Sequence, residues 1–501
     1  MKFSRASGVL LHPTALPSPF GIGDLGPSAE AFLDRLVVGG QRFWQILPLG
    51  PTGYGHSPYA CYSAFAGNPW LISPERLVAD RFLEPSEIEI SLSPSSCRAS
   101  DRIDFEAVRA CKLPLFERAF ARFRAGVLPA ETEAFESFRR DPLIRPWLED
   151  YALFMALKET HEDAVWTAWD PPLALRAPVA LAHYAEAEKE RILFHEFLQY
   201  LFFKQWRFLR GEAQKRKIGI IGDIPIFVAH DSADVWCHPE LFELDEMGHP
   251  TVVSGVPPDY FSKTGQRWGN PLYRWEAMAA TGYAWWVLRF RLLLELVDVV
   301  RLDHFRGFEA YWEIPAHEAT AVKGKWRKGP GEDFFERLGA ALGDLPIIAE
   351  DLGVITPEVE ALRDRFGFPG MKILQFAFGD TPENGYLPHN FKPECVVYTG
   401  THDNDTIVGW FRSAPQALQQ EVCGYLGSAG REIHWDLIRL GLSSVARLAI
   451  FPLQDILGLG SEARMNTPGE EQGNWSWRLT EEQLSTAPFF RLQILTHRYG
   501  R

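Results

Sequence analysis

What the chain has little of sets the first limits. Its six cysteines, Cys61, Cys97, Cys111, Cys237, Cys395 and Cys423, are scattered over 501 residues, with no CxxC pair and no dense framework. Disulfide stapling and a thiolate metal site are not expected; reduced thiols of a cytosolic protein are. Grouped positive charge is missing as well, since 51 Lys and Arg face 65 Asp and Glu, a formal charge of −14. Nucleic acid and anionic lipid surfaces both demand clustered cations, so neither is expected as a partner and a neutral ligand is. No window reaches the roughly 18 apolar residues of a membrane span, and "MKFSRASGVLLHPTALPSPF" has too short an apolar stretch for a secretory leader. The chain is expected to be soluble and cytoplasmic. Internal repeats and low-complexity tracts are absent too. No GxGxxG or GxxxxGK[ST] sits where a strand turns into a helix, which weighs against a nucleotide-binding doubly wound sheet.

Aromatic residues are what the chain has in plenty: 13% of it is Phe, Trp or Tyr, with 17 Trp. Many stand beside Gly and Pro, in "PLGPTGYGHSPYACYSAF" (48–65), "GVPPDYFSKTGQRWGNPLYRW" (255–275) and "GNWSWRL" (473–479). Rings on turns have less reason to be core than rings in a helix. Flat rings with polar neighbours suit the mixed apolar and hydroxylated faces of a sugar; the competing reading is satellite cores under long loops.

The length alone allows about three domains, although barrels with insertions absorb more than about 400 residues around one core. Strand-like runs occur at "RFWQILPLG" (42–50), "NPWLIS" (68–73), "IGIIGD" (218–223), "VDVVRLD" (297–303), "LPIIAED" (345–351), "MKILQFAF" (371–378), "CVVYTGTHD" (395–403) and "RLAIFPLQD" (447–455). They are short and apolar without alternation, the pattern of parallel strands buried on both faces. Helical segments lie between them. One starts at a Ser28 cap, carries Phe32, Leu33 and Leu36 on its apolar face and stops at Gly39–Gly40; another starts at Thr356–Pro357 and stops at Gly367. Eight strands with interposed helices predict a (β/α)8 TIM barrel, 1–85 and 206–501 forming the barrel, with a loop subdomain near 230–275. Residues 86–205 read as a largely helical insertion, with Leu148, Tyr151 and Met155 on one face, and a similar face at Phe194, Phe197, Leu201 and Phe208.

Four of these strands end in a carboxylate: Asp223, Asp303, Glu350 and Asp403. In a parallel barrel all four meet at the C-terminal face, where strand ends and following loops converge on one site. A single Asp there reads more readily as a cap for the next helix; four together point to chemistry. Strand alternation puts Arg301 and Asp303 on one face, so an ion pair is expected that favours the ionised carboxylate and makes Asp303 a nucleophile. Glu350, beside "PIIA", is the better candidate for a carboxyl held protonated as a general acid. Two carboxyls with separated roles are what glycosidic bond cleavage requires. The competing readings are a structural salt bridge and a divalent metal, the latter opposed by the cationic Arg301, Arg306 and His402 in the same cluster.

The stretches "LPLGPTGYGHSPYACYSAFAGNP", "GDIPIFVAHDSADVW", "VSGVPPDYFSKTGQRWGNPLY", "VVRLDHFRGFEAYWEIP", "IIAEDLGVITPEV", "GTHDNDT" and "GSEARMNTPG" together resemble amylomaltase, the 4-alpha-glucanotransferase family related to the α-amylases, nearly end to end. The resemblance implies a retaining transfer of α-1,4-glucan segments, with Asp303 as nucleophile, Glu350 as acid/base and Asp403 as the third carboxylate gripping sugar hydroxyls. It further implies substrate contacts from Asp223, Arg301, His402, Tyr59, Trp268 and Asn466, a partly covering loop at "VSGVPPDYFSKTGQRWG", no metal, no cofactor and no C-terminal β-sandwich. The implied partners are maltodextrins and other α-1,4-glucans as donor and acceptor, with glucose as acceptor or product. His230 and Cys237 depart from the family pattern. From the residues alone, a glucan hydrolase using the same carboxylates and a glucan-binding scaffold stay open.

Overall fold

The computed structural model describes residues 3–92, 101–258, 262–470 and 472–501; Cys97 and residues 259–261 of the covering loop lie outside the described residues. Eight short strands, β1 (Ala6–Leu10), β2 (Phe43–Gln45), β3 (Gly219–Ile224), β6 (Val299–Leu302), β9 (Ile347–Ala349), β10 (Gly370–Ile373), β11 (Cys395–Tyr398) and β12 (Leu448–Pro452), form one sheet. Its order is β10-β11-β12-β1-β2-β3-β6-β9, every ladder pair is parallel, and the Ala349 amide donates to the Pro369 carbonyl at 2.9 Å, joining the two ends. This is the (β/α)8 barrel, and its strands are buried on both faces because helices cover the outside while side chains fill the inside.

The count of eight agrees with the sequence reading, but one member differs. Residues 68–73 are not a strand: Asn68 Oδ1 accepts the Trp70 amide at 3.0 Å, Pro69 supplies the first helical position, and Pro69–Leu71 winds as a 3-10 turn. The missing strand is "ASGVL" at the start of the chain. Its glycine disguises it, and the glycine is required, because a Cβ on Gly8 would stand 2.5 Å from the Phe43 carbonyl oxygen of the neighbouring strand. The first helix starts two residues earlier than expected, at Pro27 with Gly26 as its cap, so Ser28 lies inside it. Its Phe32 ring meets Trp44 edge-on at 5.0 Å, and the Trp44 indole N–H donates to the Leu11 carbonyl at 2.7 Å.

Between β2 and β3 lie the helices Phe105–Arg124, Pro129–Arg140, Arg145–Thr160, Pro178–Ala187 and Lys189–Lys215, among others. The last runs unbroken through the expected boundary at 205/206. Its first half packs Phe194 and Phe197 on Phe120, while beyond the boundary the Trp206 indole donates to the Leu296 carbonyl at 2.9 Å, under the barrel strands. Phe208, expected on the apolar face, points outward and stacks under the Arg76 guanidinium at 3.7 Å. A second sheet stands over the barrel. It joins β5 (Gln266–Pro271), β4 (Val252–Val256), β7 (Ala310–Pro315) and β8 (Lys325–Lys328), all antiparallel and in that order, so its strands come from two segments of chain, one before β6 and one after it.

One buried ion ties the helical region to the barrel. Lys112, on Phe105–Arg124, is fully enclosed and donates to Asp24 Oδ2 at 3.0 Å and to the Trp70 and Ile72 carbonyls at 2.8 and 3.0 Å. Removing the ammonium strands a buried carboxylate and two carbonyls. Lys112→Met is therefore expected to destabilise the fold by about 3–5 kcal/mol, read as a lowered midpoint in urea unfolding.

Candidate active site

The site is built where the barrel strands end. Strands β3 and β6 are parallel neighbours in a register that sets Asp223 beside Arg301. From there Arg301 Nη1 donates to both Asp223 oxygens, at 2.9 and 2.7 Å, and to Asp303 Oδ1 at 2.9 Å. The predicted pairing of Arg301 with Asp303 is present, but the guanidinium is shared, and Asp223 is its buried partner. Asp303 follows the last residue of β6 and keeps 27% of its side chain open to the groove. Tyr59, brought over from the loop after β2, donates its hydroxyl to Asp223 Oδ2 at 2.8 Å and stacks on His402 with centroids 4.9 Å apart.

Asp403 lies in the loop beyond Tyr398, not at the strand end itself, because Thr399–His402 intervene. Its Oδ1 accepts from Asn466 Nδ2 at 2.7 Å and faces His402 Nε2 at 3.3 Å. Glu350 follows β9 and receives two backbone donors: the His304 amide on Oε2 at 2.7 Å and the Leu352 amide on Oε1 at 3.0 Å. Trp268, on β5 of the outer sheet and 39% exposed, stands edge-on to the His304 ring at 4.8 Å. All nine residues singled out in the sequence thus gather at one end of the barrel. Seven of them are linked by contacts around Arg301, and Glu350 and Trp268 join through His304.

Charge is distributed unevenly across this cluster. Burial opposes the Arg301 charge, yet Asp223 and Asp303 together hold its pKa well above the ordinary value. Burial raises Asp303; Arg301 pulls it back only in part, and Asp223 and Asp403 push it further up. Arg301 favours the ionised carboxylate, as expected, but desolvation outweighs that pull. Burial raises Glu350 further still, against the pull of Arg301 and with the Asp303 charge adding to the rise. The order of the two carboxyls, Glu350 above Asp303, is the one a nucleophile and an acid require.

Sequence reading missed several members. His304 adopts a left-handed backbone, φ +50°, which aims its amide at Glu350, and burial lowers its pKa to about 3. His12 is buried behind His402 and likewise lowered to about 3, first by burial and then by the nearby His402. Trp475 closes the ring cluster, 5.9 Å from both Tyr59 and His402, and Arg464 donates to the Asp403 carbonyl at 2.5 Å. Trp475 lies in the aromatic stretch 473–479, Arg464 in "GSEARMNTPG" and His304 in the crowded "RLDHFRG"; His12 carries no signal of its own. Of the loop aromatics, Tyr59, Trp268 and the buried Trp475 pack on the histidines of this cluster, whereas Phe65 and Tyr273 pack on core rings and Trp477 is buried. Among the described residues no group of three or more His, Cys, Asp or Glu is arranged to hold a metal ion, and no helix is long and apolar enough to cross a membrane.

The family model for 4-alpha-glucanotransferase matches residues 11–484. The chain belongs to this family. It is 55% identical to a 4-alpha-glucanotransferase of Synechocystis sp. over 99% of this chain and 98% of the relative. A Thermus thermophilus 4-alpha-glucanotransferase is 53% identical over 99% of both. The solved amylomaltase of Streptococcus agalactiae in complex with acarbose superposes with a TM-score of 0.95 at 39% identity, covering 99% of each chain. Glucan transfer is therefore the activity of this chain, which decides between transferase and hydrolase where the catalytic residues alone could not.

Burial raises both Asp303 and Glu350 above their ordinary ranges, so with one needed ionised and the other protonated the bell of kcat/KM against pH is expected to have both limbs displaced upward. Loss of the Arg301 cation disfavours ionised Asp303. Arg301→Gln should therefore move the acid limb to still higher pH and lower activity at neutrality, measured as initial rates with maltotriose across pH.

Proposed function

We propose that the chain disproportionates α-1,4-glucans through a covalent glycosyl intermediate, with Asp303 as nucleophile and Glu350 as acid/base. The observation that carries this reading is the contrast between two neighbouring strand-end carboxyls: Asp303 lies against a guanidinium, Glu350 against backbone amides only. The α-glucan nature of the substrate is supported by the family and by the acarbose complex of the Streptococcus agalactiae amylomaltase.

In the first half-reaction an Asp303 oxygen attacks the anomeric carbon while the Glu350 proton passes to the departing 4-oxygen, so the donor fragment leaves as an alcohol. The remaining glucan is held as an ester of Asp303. Glu350, now a carboxylate, takes the proton from the 4-hydroxyl of an acceptor; that oxygen attacks the anomeric carbon, Asp303 departs and an α-1,4 bond is rebuilt. Two inversions give net retention. Asp403, held by Asn466 and His402, accepts hydrogen bonds from sugar hydroxyls, and Tyr59 offers its ring to the sugar face beside Asp223. Buried, neutral His402 donates or accepts without adding a competing charge. Maltodextrins serve as donor and acceptor, and glucose as acceptor or product. The protein works in the cytoplasm, without metal or cofactor. Along the chain, 1–85 and 206–501 supply the barrel and 86–205 the helical insertion. The loop subdomain near 230–275 brings Trp268 to the acceptor side, where it screens the intermediate from water.

Three measurements check this. Glu350→Gln should lose ~10²–10⁴-fold in transfer from glucan donors yet still form the covalent adduct from glucosyl fluoride, whose leaving group needs no proton. Asp303→Ala should form none; an adduct in Asp303→Ala and not in Glu350→Gln, by rapid-quench mass spectrometry, would reverse the roles. Incubated with maltotriose, the protein should yield glucose and a ladder of longer maltodextrins at nearly constant reducing ends, whereas reducing ends rising in step with substrate loss would mean hydrolysis. Trp268→Ala should raise the share of water attack more than it lowers bond cleavage.

A further inference from the structure

The outer sheet reaches Glu350 by two routes, one from each of its edge strands. From β5, Trp268 packs on the His304 ring, and the His304 amide binds Glu350 Oε2. From β8, Trp326 lies under the Arg306 guanidinium, whose central carbon is 3.8 Å from the indole centroid. Arg306 is buried, donates through Nε to the Ala310 carbonyl and through Nη1 to the Val354 carbonyl, and forms no ion pair with a carboxylate among the described residues. Val354 belongs to the turn that leaves β9, and the Leu352 amide in that same turn binds Glu350 Oε1. The Val354 side chain is 53% exposed, so at this residue the turn is held by its backbone contact with Arg306 and not by side-chain packing. Trp326 in turn packs edge-on against Trp312 of β7, with centroids 5.2 Å apart, and its strand is exposed along its length.

A cation stacked on an indole, with carbonyls as its hydrogen-bond partners and Glu309 acting on it only from beyond ion-pair distance, is a mechanical tie. We propose that Arg306, seated on Trp326, is a positioning residue for Glu350. It fastens the turn after β9 to the outer sheet, keeping the Leu352 amide on one carboxyl oxygen while the His304 amide holds the other. Glu350 then presents its proton in one orientation to the leaving oxygen and recovers it from the acceptor hydroxyl along the same line. Arg306 touches no reacting atom, and its effect passes through the turn. The inference rests on Glu350 being the acid/base. It predicts that only steps moving a proton depend on the Arg306–Trp326 pair, because misplacement of a catalytic group by a fraction of a bond length is felt only by the step that uses it.

The test compares two reactions of the full-length protein. Disproportionation of maltotriose needs both proton transfers; reaction of α-maltosyl fluoride with azide needs neither, since fluoride leaves unprotonated and azide attacks without a base. Trp326→Ala and Arg306→Lys are expected to slow the first roughly 10- to 100-fold and to leave the second close to the parent rate, with unchanged Tm. Trp326→Phe, which keeps a ring under the guanidinium, should recover most of the loss. Glu350→Gln is run alongside and should show the same split in stronger form. If Glu350→Gln splits the two reactions and the Arg306 and Trp326 variants lower both in parallel, or neither, the positioning role falls while the acid/base assignment stands. If Glu350→Gln itself shows no split, the acid/base assignment falls and the positioning role with it.

Discussion

The ion pair on which the site depends is Arg301 between Asp223 and Asp303. A guanidinium this deep in a barrel is costly to desolvate, and only two carboxylates, one buried and one facing the groove, make it favourable. The arrangement follows from strand geometry: parallel register sets Asp223 beside Arg301, and the two-residue repeat sets Arg301 on the same face as Asp303. Tyr59 donates to the same Asp223 oxygen that Arg301 approaches most closely, His402 stacks on Tyr59, and Asp403 lies against His402. Each further member is therefore located by the one before it, and the chain of contacts starts at a single nitrogen.

Glu350 stands apart from that chain by design of its surroundings. It has amides for neighbours where Asp303 has a cation, so the two carboxyls diverge in acidity although both lie at strand ends. The amides come from a left-handed residue and a turn, neither of which is part of the barrel's regular structure. The outer sheet supplies what the barrel does not, packing on His304 from one edge and on Arg306 from the other. The helical region plays a comparable part for the chain after β2, where Lys112 bonds the carbonyls of Trp70 in the 3-10 turn and of Ile72 that ends it.

Much of this is legible in the order of the amino acids. Seven of the eight strands show as short apolar runs, because a strand buried on both faces has no polar alternation to confuse it with anything else. The eighth is hidden by Gly8, whose missing side chain makes room for a neighbouring carbonyl, a fact about β2 and not about β1. Residues 68–73 look like a strand by composition, and a local Asn68 hydrogen bond decides otherwise. The carboxylates at strand ends, Arg301 two residues before Asp303, and the aromatic loops all point to the site, and the resemblance of whole stretches names the family that carries it.

By itself the sequence determined the barrel and the four carboxylates that its strands carry to one end, because strand period and strand-end chemistry are local and need no partner to be read. Only the tertiary structure decided which oxygen binds which nitrogen. That Arg301 is shared with Asp223, that burial overrides its pull on Asp303, and that His12, Trp475 and Arg464 complete the site all depend on residues far apart in the chain. Desolvation is the reason: it is set by everything that surrounds a group at once, and no stretch of sequence contains its own surroundings.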